Sequence, residues 1–414
     1  MRNKIILIFA LLINCSSFAQ QDLDVFIIAR NTGEKVLANN DTIRVFGFAK
    51  NLGSQPTVPG PTIYANEGDS VHIDVWNVSQ GAPHTIHLHG LDVNQQNDGV
   101  PHLSFDIAHM DHGYYHFKAP HAGTYLYHCH VASTIHVQAG MYGLIVIRPP
   151  DGSNTTWEGG HDFDTEESYF LSEIDTNWHT DSVLMHDHDT SFAIHELEIP
   201  DFDPQFFLIN GLSDQQLVDS VVQLNSAVNL VNYVRLANIG YCGTRVIFPP
   251  ALNARIVASD GRPLNIEEVS DTIYLYPGER YGVLTEASME FQGQITFDYI
   301  DLNTMTIKNT QVVPVSVIGY VELNENLEDN FSFKIVPNPF DENTSVEFEL
   351  TDNRKVKVRV MDMAGRLVID YPYQTYGAGL NSIDIGDGIK KNGSYVVQLT
   401  IEGKGFVVKK MTKL

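Results

Sequence analysis

Basic residues are scarce in this sequence, and so is cysteine. The 26 Lys and Arg residues face 51 Asp and Glu residues, which gives a formal net charge of −25 at pH 7. Because nucleic acids and anionic membranes attract positive charge, neither is expected to be a partner. The chain has three cysteines, Cys15, Cys129 and Cys242. Beyond Ala19, no apolar run is long enough to cross a bilayer as a helix.

The amino terminus has the pattern of a secretory signal peptide. Arg2 and Lys4 precede an apolar run over residues 5–13, and the segment ends in Ser-Phe-Ala19. This pattern predicts cleavage after Ala19. A lipoprotein signal at Cys15 is the alternative, although Leu-Ile-Asn is a poor match before it. With 414 residues, 43% of them hydrophobic, the chain is long enough for two or three packed domains.

Side chains that bind soft and borderline metals are concentrated in two segments. These are His84-Thr-Ile-His-Leu-His-Gly90 and Tyr127-His-Cys-His130, followed by His136 and Met141. Successive residues of a strand point to opposite faces. If residues 123–130 form a strand, Cys129 therefore faces one side, while His128 and His130 face the other. One short segment can then serve two metal centres.

The first segment supplies matching ligands for both centres. His87 and His89 also lie two residues apart, so they can meet the histidine pair of the second segment, and His84 is left to join Cys129. A thiolate, two imidazoles and a weak thioether form the blue-copper ligand set, which passes single electrons. The candidates for that set are His84, Cys129, His136 and Met141. A cluster of imidazoles alone suits copper or zinc.

These motifs resemble the copper motifs of multicopper oxidases, the family of laccases. His-x2-His-x-His-Gly followed by His-Cys-His carries the resemblance, and Asp98-Gly-Val-Pro101 and Val58-Pro-Gly-Pro-Thr-Ile63 add to it. Residues 123–129 also resemble the type 1 strand of copper nitrite reductases. The Cys-x6-His spacing departs from both families. The resemblance implies type 1 copper ligands at His84, Cys129, His136 and Met141, and a type 2/type 3 copper cluster at His87, His89, His128 and His130.

One acidic residue near these motifs is a candidate for catalysis. The family often has a carboxylate near the position of Asp98, where it can relay protons during oxygen reduction. The alternative is a structural Asp-Gly turn, and both roles stay open. Surface or turn roles are expected for five further histidines of this region: His102, His109, His112, His116 and His121.

Short β-branched segments between Gly, Pro and Asn clusters predict an all-β fold. After a signal peptide over residues 1–19, we expect two cupredoxin-like Greek-key β-sandwich domains, over residues 20–150 and 151–322. An acidic linker over residues 323–331 and a small β-sandwich sorting domain over residues 332–414 follow. The second domain resembles the middle domain of laccases, down to Pro277-Gly-Glu-Arg-Tyr281. Its strands carry no His-x-His, so it is predicted to be copper-free.

The predicted cluster lacks half of its ligands. In the family the trinuclear cluster takes eight histidines, four from each of two domains, and this sequence offers four. Trp178-His179 or Met185-His-Asp-His188 of the second domain can supply others. A second copy in a homo-oligomer can pool its histidines with the first, since symmetric assembly brings like surfaces together. Alternatively, the cluster is limited to a single type 2 copper.

The carboxyl-terminal segment has a different composition and its own ordered motifs. These are Val336-Pro-Asn-Pro-Phe340, Val360-Met-Asp-Met-Ala-Gly365, residues 393–399 and Val408-Lys-Lys-Met-Thr-Lys413. They resemble the type A sorting domain that the type IX secretion machinery reads. The resemblance implies export across the outer membrane, followed by release or attachment at the cell surface. The alternative is a carbohydrate-binding or adhesive module, for which no aromatic platform is evident.

Two classes of function fit these observations. The first is a secreted copper oxidase that takes single electrons from a small-molecule or metal-ion donor and passes them to dioxygen at the histidine cluster. The second is a blue-copper electron carrier or copper-binding protein, and a nitrite reductase is a narrower third. The oxidase is favoured because a pure carrier has no use for the four cluster histidines.

Overall fold

The computed structural model describes residues 21–81, 83–184, 199–318, 333–362, 367–402 and 405–414. Three β-sandwiches follow one another along this part of the chain, which confirms the predicted all-β fold class. The predicted signal peptide, the His186-Asp-His188 motif and the acidic linker lie outside the described residues. Within the described ranges, no helix has the length and apolarity needed to cross a bilayer.

The first sandwich consists of two four-stranded sheets with the orders β2-β1-β4-β6 and β3-β8-β7-β5. β1 pairs with β4, and β3 with β8, in parallel; the other neighbours are antiparallel. One short helix, α1 (Ser133–Ala139), lies between β7 and β8. The strands are β1 Asp22–Val36, β2 Thr42–Ala49, β3 Ile63–Asn66, β4 Ser70–Asn77, β5 His87–His89, β6 His112–Lys118, β7 Gly123–His128 and β8 Tyr142–Arg148.

Alternation along β4 shows how these sheets build a core. Val71, Ile73 and Val75 are buried between the sheets, as the period-two pattern predicts, while His72 and Asp74 point to the outer face. Burying apolar side chains contributes roughly 25 cal/mol per Å² of area removed from water. The short strand β5 pairs only with β7, which brings the two histidine-rich segments of the sequence side by side.

The second sandwich is larger, with sheets ordered β10-β9-β12-β17-β14-β15 and β11-β19-β18-β13-β16. Two short helices, α2 Asp181–Leu184 and α3 Asp214–Val218, accompany it. Its strands are β9 Thr165–Ile174, β10 Phe206–Ile209, β11 Leu224–Ala227, β12 Val231–Asn238, β13 Gly243–Ile247, β14 Arg255–Ser259, β15 Arg262–Val269, β16 Thr272–Leu275, β17 Arg280–Glu286, β18 Phe291–Asp301 and β19 Thr306–Ile318. Cys242 is a free, buried thiol within its core, as predicted.

A buried interface joins the first and second sandwiches. Leu126 and Leu144 of the first sandwich pack in one apolar cluster with Phe170 and Ala237 of the second. A second set of contacts is ionic, since Glu166 binds both Arg148, at 3.0 Å, and Arg235. Burial opposes ionisation of Glu166, but these two guanidinium groups lower its pKa below the usual value.

The third sandwich spans residues 333–413 in sheets ordered β20-β21-β24 and β23-β22-β25-β26. Its strands are β20 Phe333–Val336, β21 Ser345–Leu350, β22 Arg354–Asp362, β23 Leu367–Tyr376, β24 Gly379–Asp384, β25 Gly393–Ile401 and β26 Gly405–Lys413. Lys410 of β26 forms an ion pair with Glu167 of β9, so the third sandwich contacts the second. The domain boundaries given above stay predictions.

Candidate copper centres

Three segments of the first sandwich bring Cys129, His84 and His136 together, and we call these residues the thiolate group. Cys129 directly follows β7, and its N–H donates to the carbonyl of Met141 at 3.0 Å. His84 is held by two backbone hydrogen bonds with Ile107, at 3.1 and 2.9 Å. His136 lies within α1. All three side chains are fully buried.

The thiolate group is spaced for one metal ion. Sγ of Cys129 lies 3.3 Å from Nδ1 of His136 and 3.7 Å from Nδ1 of His84. A nitrogen and a sulfur bonded to one ion at about 2.0 and 2.3 Å, with an angle of about 100–120°, lie about 3.3–3.8 Å apart. Both imidazoles therefore turn the same nitrogen to the sulfur at the separation that a shared ion requires. Two imidazoles and a thiolate are the donors of a blue-copper site.

The thiol of Cys129 is prepared to act as a ligand. Burial would raise its pKa, but the adjacent His136 and His84, through charge and hydrogen bonds, lower it to about 5. The thiolate is the form that binds metals, so Cys129 can supply a negative sulfur at neutral pH. Cys129 is also a free cysteine, as the sequence predicts for a metal ligand.

Gly140 returns the chain from α1 to the thiolate group. It ends the helix with a φ of +117°, in a region that side chains disfavour. A Cβ atom there would lie 2.5 Å from Cγ2 of Val58 and 2.7 Å from the carbonyl oxygen of Phe46. Met141 follows at once; it is fully buried, and its N–H donates to the carbonyl of His136 at 2.9 Å. The main chain thus ties Met141 to two members of the thiolate group.

The four remaining histidines form a second cluster, the imidazole group: His87, His89, His128 and His130. β5 runs antiparallel to β7 and sets His87 opposite His128. Nδ1 of His89 lies 3.4 Å from Nε2 of His128, and ligand nitrogens of His87, His89 and His128 all lie within 4.8 Å of one another. The ring centroid of His130 is 5.3 Å from that of His87. All four histidine side chains are thus neighbours, as the i, i+2 spacing of each pair along the sequence predicts.

Backbone carbonyls fix the orientation of two of these rings. Nδ1 of His87 lies 2.8 Å from the carbonyl oxygen of Asp98, and Nδ1 of His128 lies 3.0 Å from that of Cys129. A carbonyl only accepts hydrogen bonds, so each Nδ1 carries the proton and each Nε2 keeps a lone pair for a metal.

Burial keeps two members of the imidazole group, His89 and His128, neutral. Burial first, and then the charge of the nearby Arg280, together lower the pKa of His89 to about 4. Burial also lowers the pKa of His128 to about 3, although the hydrogen bond to the carbonyl of Cys129 opposes the shift. Neutral imidazole is the form that binds metal ions, so both rings are in their metal-binding form at pH 7.

The two groups meet at Cys129, as the alternation of strand side chains predicts. Its sulfur belongs to the thiolate group, while the rings of His128 and His130 belong to the imidazole group. β7 ends at His128, two residues earlier than the sequence predicted. The reason is that the N–H of His130 donates to Oγ1 of Thr85, at 2.9 Å, instead of to a neighbouring strand.

Asp98 lies beside the imidazole group, next to a tight turn. Its carbonyl holds His87, and its carboxylate Oδ1 is 3.6 Å from Nδ1 of the same ring. Gly99, with a φ of +77°, follows it, and a Cβ atom there would lie 1.9 Å from the carbonyl oxygen of Ile86. The structural role of the Asp-Gly turn is therefore evident. The proton-relay role of Asp98 stays a prediction.

The second sandwich contributes residues that sequence reasoning missed. Arg280 is almost fully buried, and its side chain donates to the carbonyls of Gly278, at 2.6 Å, and Thr124, at 3.3 Å. A Cβ atom at Gly90 would lie 2.1 Å from Nη2 of Arg280, and one at Gly278 would lie 3.2 Å from Nε2 of His89. The signal was the Pro-Gly-Glu-Arg-Tyr turn, but its proximity to the histidines depends on tertiary packing.

The other candidate histidines lie outside both groups. Nδ1 of His179 is 2.7 Å from the carbonyl oxygen of Arg44, so this residue does not join the imidazole group. His102 is exposed on a turn. His109 and His121 contact backbone carbonyls, at 2.5 and 2.7 Å, and His112 and His116 lie on the outer face of β6. Within the described ranges, the two groups in which three candidate ligand atoms lie within 4.8 Å of one another both belong to the first sandwich.

Known proteins match this chain over two separate regions. The family model for multicopper oxidases matches residues 47–152, and that for the secretion system C-terminal sorting domain matches residues 334–413. The copper resistance protein A homolog of Pseudomonas syringae pv. tomato is 40% identical over 105 residues, which cover 25% of this chain and 17% of that protein. L-ascorbate oxidase of Cucumis sativus is 29% identical over 163 residues, 39% of this chain and 26% of that protein.

Solved structures share the fold over a longer stretch. A blue copper oxidase from Nitrosomonas europaea matches with a TM-score of 0.57 and 24% identity, covering 72% of this chain and 86% of that one. A copper nitrite reductase from the same organism matches with a TM-score of 0.54 and 17% identity, covering 72% and 94%. Copper is the metal of the matched family, and the donor sets of both groups fit it. The chain thus contains one domain, residues 47–152, that matches the multicopper oxidase family, and a second, residues 334–413, that matches the secretion system C-terminal sorting domain.

Proposed function

We propose that this protein is a secreted copper-dependent oxidoreductase that passes electrons from a donor to dioxygen. His84, Cys129, His136 and Met141 hold a type 1 copper, and His87, His89, His128 and His130 hold a histidine-bound copper cluster of the type 2/type 3 kind. Copper at these groups supplies single-electron transfer and the four-electron reduction of dioxygen to water.

One observation carries this proposal: the residue that supplies the thiolate is joined directly to the imidazole group. The carbonyl of Cys129 accepts the hydrogen bond from Nδ1 of His128 at 3.0 Å, and both neighbours of Cys129 in the chain are cluster histidines. With copper bound at both groups, Cys129 would therefore link the two centres through a single residue. A carrier that only exchanges electrons with a partner protein has no need of this second group.

The two groups differ in how deeply they are buried, and this difference suggests a different role for each. The thiolate group is fully buried, so its residues exclude water and keep donor molecules at the protein surface. His87, His89 and His130 are only partly buried, which leaves the imidazole group within reach of small molecules such as dioxygen. Dioxygen reduction also consumes protons, and we propose that Asp98, whose carboxylate lies 3.6 Å from the ring of His87, delivers them.

The imidazole group needs a partner to form a full cluster of the family type. It has four histidines, and among the described residues it is Arg280 and Gly278 that the second sandwich contributes beside His89. We propose that a second copy of the chain supplies the missing histidines in a homo-oligomer. Light scattering on the copper-loaded protein tests this proposal, since a monomer that retains a complete cluster and full turnover contradicts it.

Export follows from the sorting domain. A secretion system C-terminal sorting domain indicates transport to the cell surface, and we propose that the type IX machinery reads it. A small molecule or a metal ion outside the cell is then the electron donor. Truncation after residue 332 in the native host tests the assignment, because the truncated protein should remain in the periplasm.

Three measurements separate the candidate functions. Metal analysis should give more than one copper per chain, and steady oxygen consumption with a phenolic donor should follow copper loading. Cys129→Ser should abolish both the intense visible copper–thiolate absorption and the oxygen consumption, because serine offers no thiolate. His102→Gln, at an exposed turn, is the matched control. One copper per chain without oxygen uptake would favour a carrier, and anaerobic nitrite consumption would favour a nitrite reductase.

A further inference from the structure

The outer face of the first sheet carries a row of His and Asp side chains that belong to neither the thiolate group nor the imidazole group. β4 turns His72 outward, and β6 sets His116 directly opposite it. On the other side of β4, β1 runs parallel and sets Asp24 opposite His72, also on the exposed face. Asp24, His72 and His116 thus stand side by side on three neighbouring strands, which lie about 4.8 Å apart.

The two histidines of this row already face each other. Nδ1 of His72 lies 2.6 Å from Nδ1 of His116, and the ring centroids are 4.8 Å apart. Two nitrogens bonded to one ion at about 2.0–2.1 Å are about 2.9 Å apart at a right angle and about 3.3 Å apart at the tetrahedral angle. From the observed 2.6 Å, the two nitrogens therefore separate by roughly 0.3–0.7 Å to share an ion. Both rings are partly or fully exposed, so a small outward rotation accommodates the difference.

The backbone positions of His72 and His116 are fixed by hydrogen bonds and strand pairing. The N–H of His116 donates to Oδ1 of Asn97 at 2.6 Å, and His72 lies in the middle of an eight-residue strand with neighbours on both sides. Cross-strand positions on a paired sheet keep their spacing, so two ligands are set before an ion arrives. A second polar pair lies further along the same face, where Nδ1 of His112 is 2.7 Å from Oδ1 of Asp74.

We propose that His72 and His116, with Asp24 as a third ligand, form a surface site for a divalent transition-metal ion. Two imidazoles and a carboxylate suit copper(II), zinc(II) or nickel(II), and water completes the coordination. The site lies on the opposite side of the sheet from the copper centres. His116 points outward from β6, whereas its neighbour Tyr115 points inward and is fully buried in the core. An ordinary hydrogen bond between two imidazoles is the competing explanation of the short contact.

Zinc(II) is the probe that tests the site on the full-length, copper-loaded protein. Copper already fills the interior groups, so isothermal titration and metal analysis should show one additional zinc per chain with no copper released. His72→Gln and His116→Gln should each weaken zinc binding by more than about 100-fold, because loss of an outer-shell partner alone costs about 10–100-fold. Asp24→Asn should weaken it by about 10-fold, as expected for one exposed carboxylate.

Matched variants make the result decisive. His102→Gln removes an exposed histidine from a turn and should leave zinc binding unchanged. His112→Gln shows whether the second polar pair takes part, and it should also leave zinc binding within about twofold. The proposal is overturned if the wild type binds no additional zinc, if zinc uptake equals copper loss, or if His72→Gln binds zinc as the wild type does.

Discussion

Glu173 makes the stability of the interface around α1 depend on pH. Its side chain is 3% exposed, and its Oε1 accepts hydrogen bonds from the N–H groups of Tyr241 and Cys242, the latter at 3.1 Å. Burial raises the pKa of Glu173 from 4.5 to about 7, although these two hydrogen bonds oppose the shift. Its main-chain carbonyl accepts a hydrogen bond from Nε2 of Gln138 at 3.1 Å, so Glu173 is attached to α1, the helix that holds His136.

The sign of the effect follows from this raised pKa. Between pH 4.5 and about 7 the folded chain holds a proton on Glu173 that the unfolded chain has lost. The stabilising contribution is therefore complete below pH 4.5 and is lost as the pH rises through about 7. A difference of about 2.5 pKa units, at about 1.4 kcal/mol each, corresponds to about 3 kcal/mol.

Glu173→Gln removes this dependence while keeping the shape of the side chain. The free energy of unfolding is measured with urea for the metal-free wild type and the variant at a series of pH values from 4 to 8. Between pH 4 and pH 8 the wild type should lose about 3 kcal/mol of this free energy relative to the variant. Taking the difference cancels titration of the histidines. Glu158→Gln, at an exposed turn, is the control and should give a constant difference. Parallel curves for wild type and Glu173→Gln would refute the reasoning.

Three further substitutions test the surroundings of the copper centres. Gly140→Ala places a side chain where there is no room; it should cost about 1–3 kcal/mol in urea unfolding and, by displacing Met141, weaken the visible copper–thiolate absorption. Unchanged stability would contradict the packing. Arg280→Lys should lower the copper retained beside His89 in metal analysis without changing that absorption, because the single ammonium nitrogen of lysine cannot occupy the positions of both Nη1 and Nε, which donate to Gly278 and Thr124. Phe170→Ala should cost about 3–5 kcal/mol in urea unfolding, and a loss below about 1 kcal/mol would show that the interface cluster contributes little.

Spacing along the chain was enough to predict the local geometry of the copper centres. Period-two alternation around Cys129 separated its sulfur from His128 and His130, and pairing of β5 with β7 brought His87 to them. Such contacts follow from the alternation of side chains along a strand, which can be read from the residue spacing in the sequence. The β-sandwich architecture was predictable for the same reason, because short alternating segments between turn residues leave few alternatives.

Contacts between distant segments were not predictable in this way. Arg280 meets Gly90 only because the second sandwich packs on the first, and no local pattern specifies that contact. The His72–His116 pair depends on the register of β4 against β6, which a shift of one residue would destroy. The end of β7 at His128 depends on a side-chain oxygen of Thr85, whose partner is 45 residues away.

The ion triad of Glu166 with Arg148 and Arg235 restricts where the chain can be truncated without loss of stability. A fragment that stops after residue 150 would leave the guanidinium of Arg148 without its carboxylate, on an apolar surface that Leu126 and Leu144 also line. Removing one member of a buried charge pair costs about 3–5 kcal/mol, whereas replacing all members with apolar groups can be neutral. To express the first sandwich by itself, all of that surface would therefore have to be redesigned.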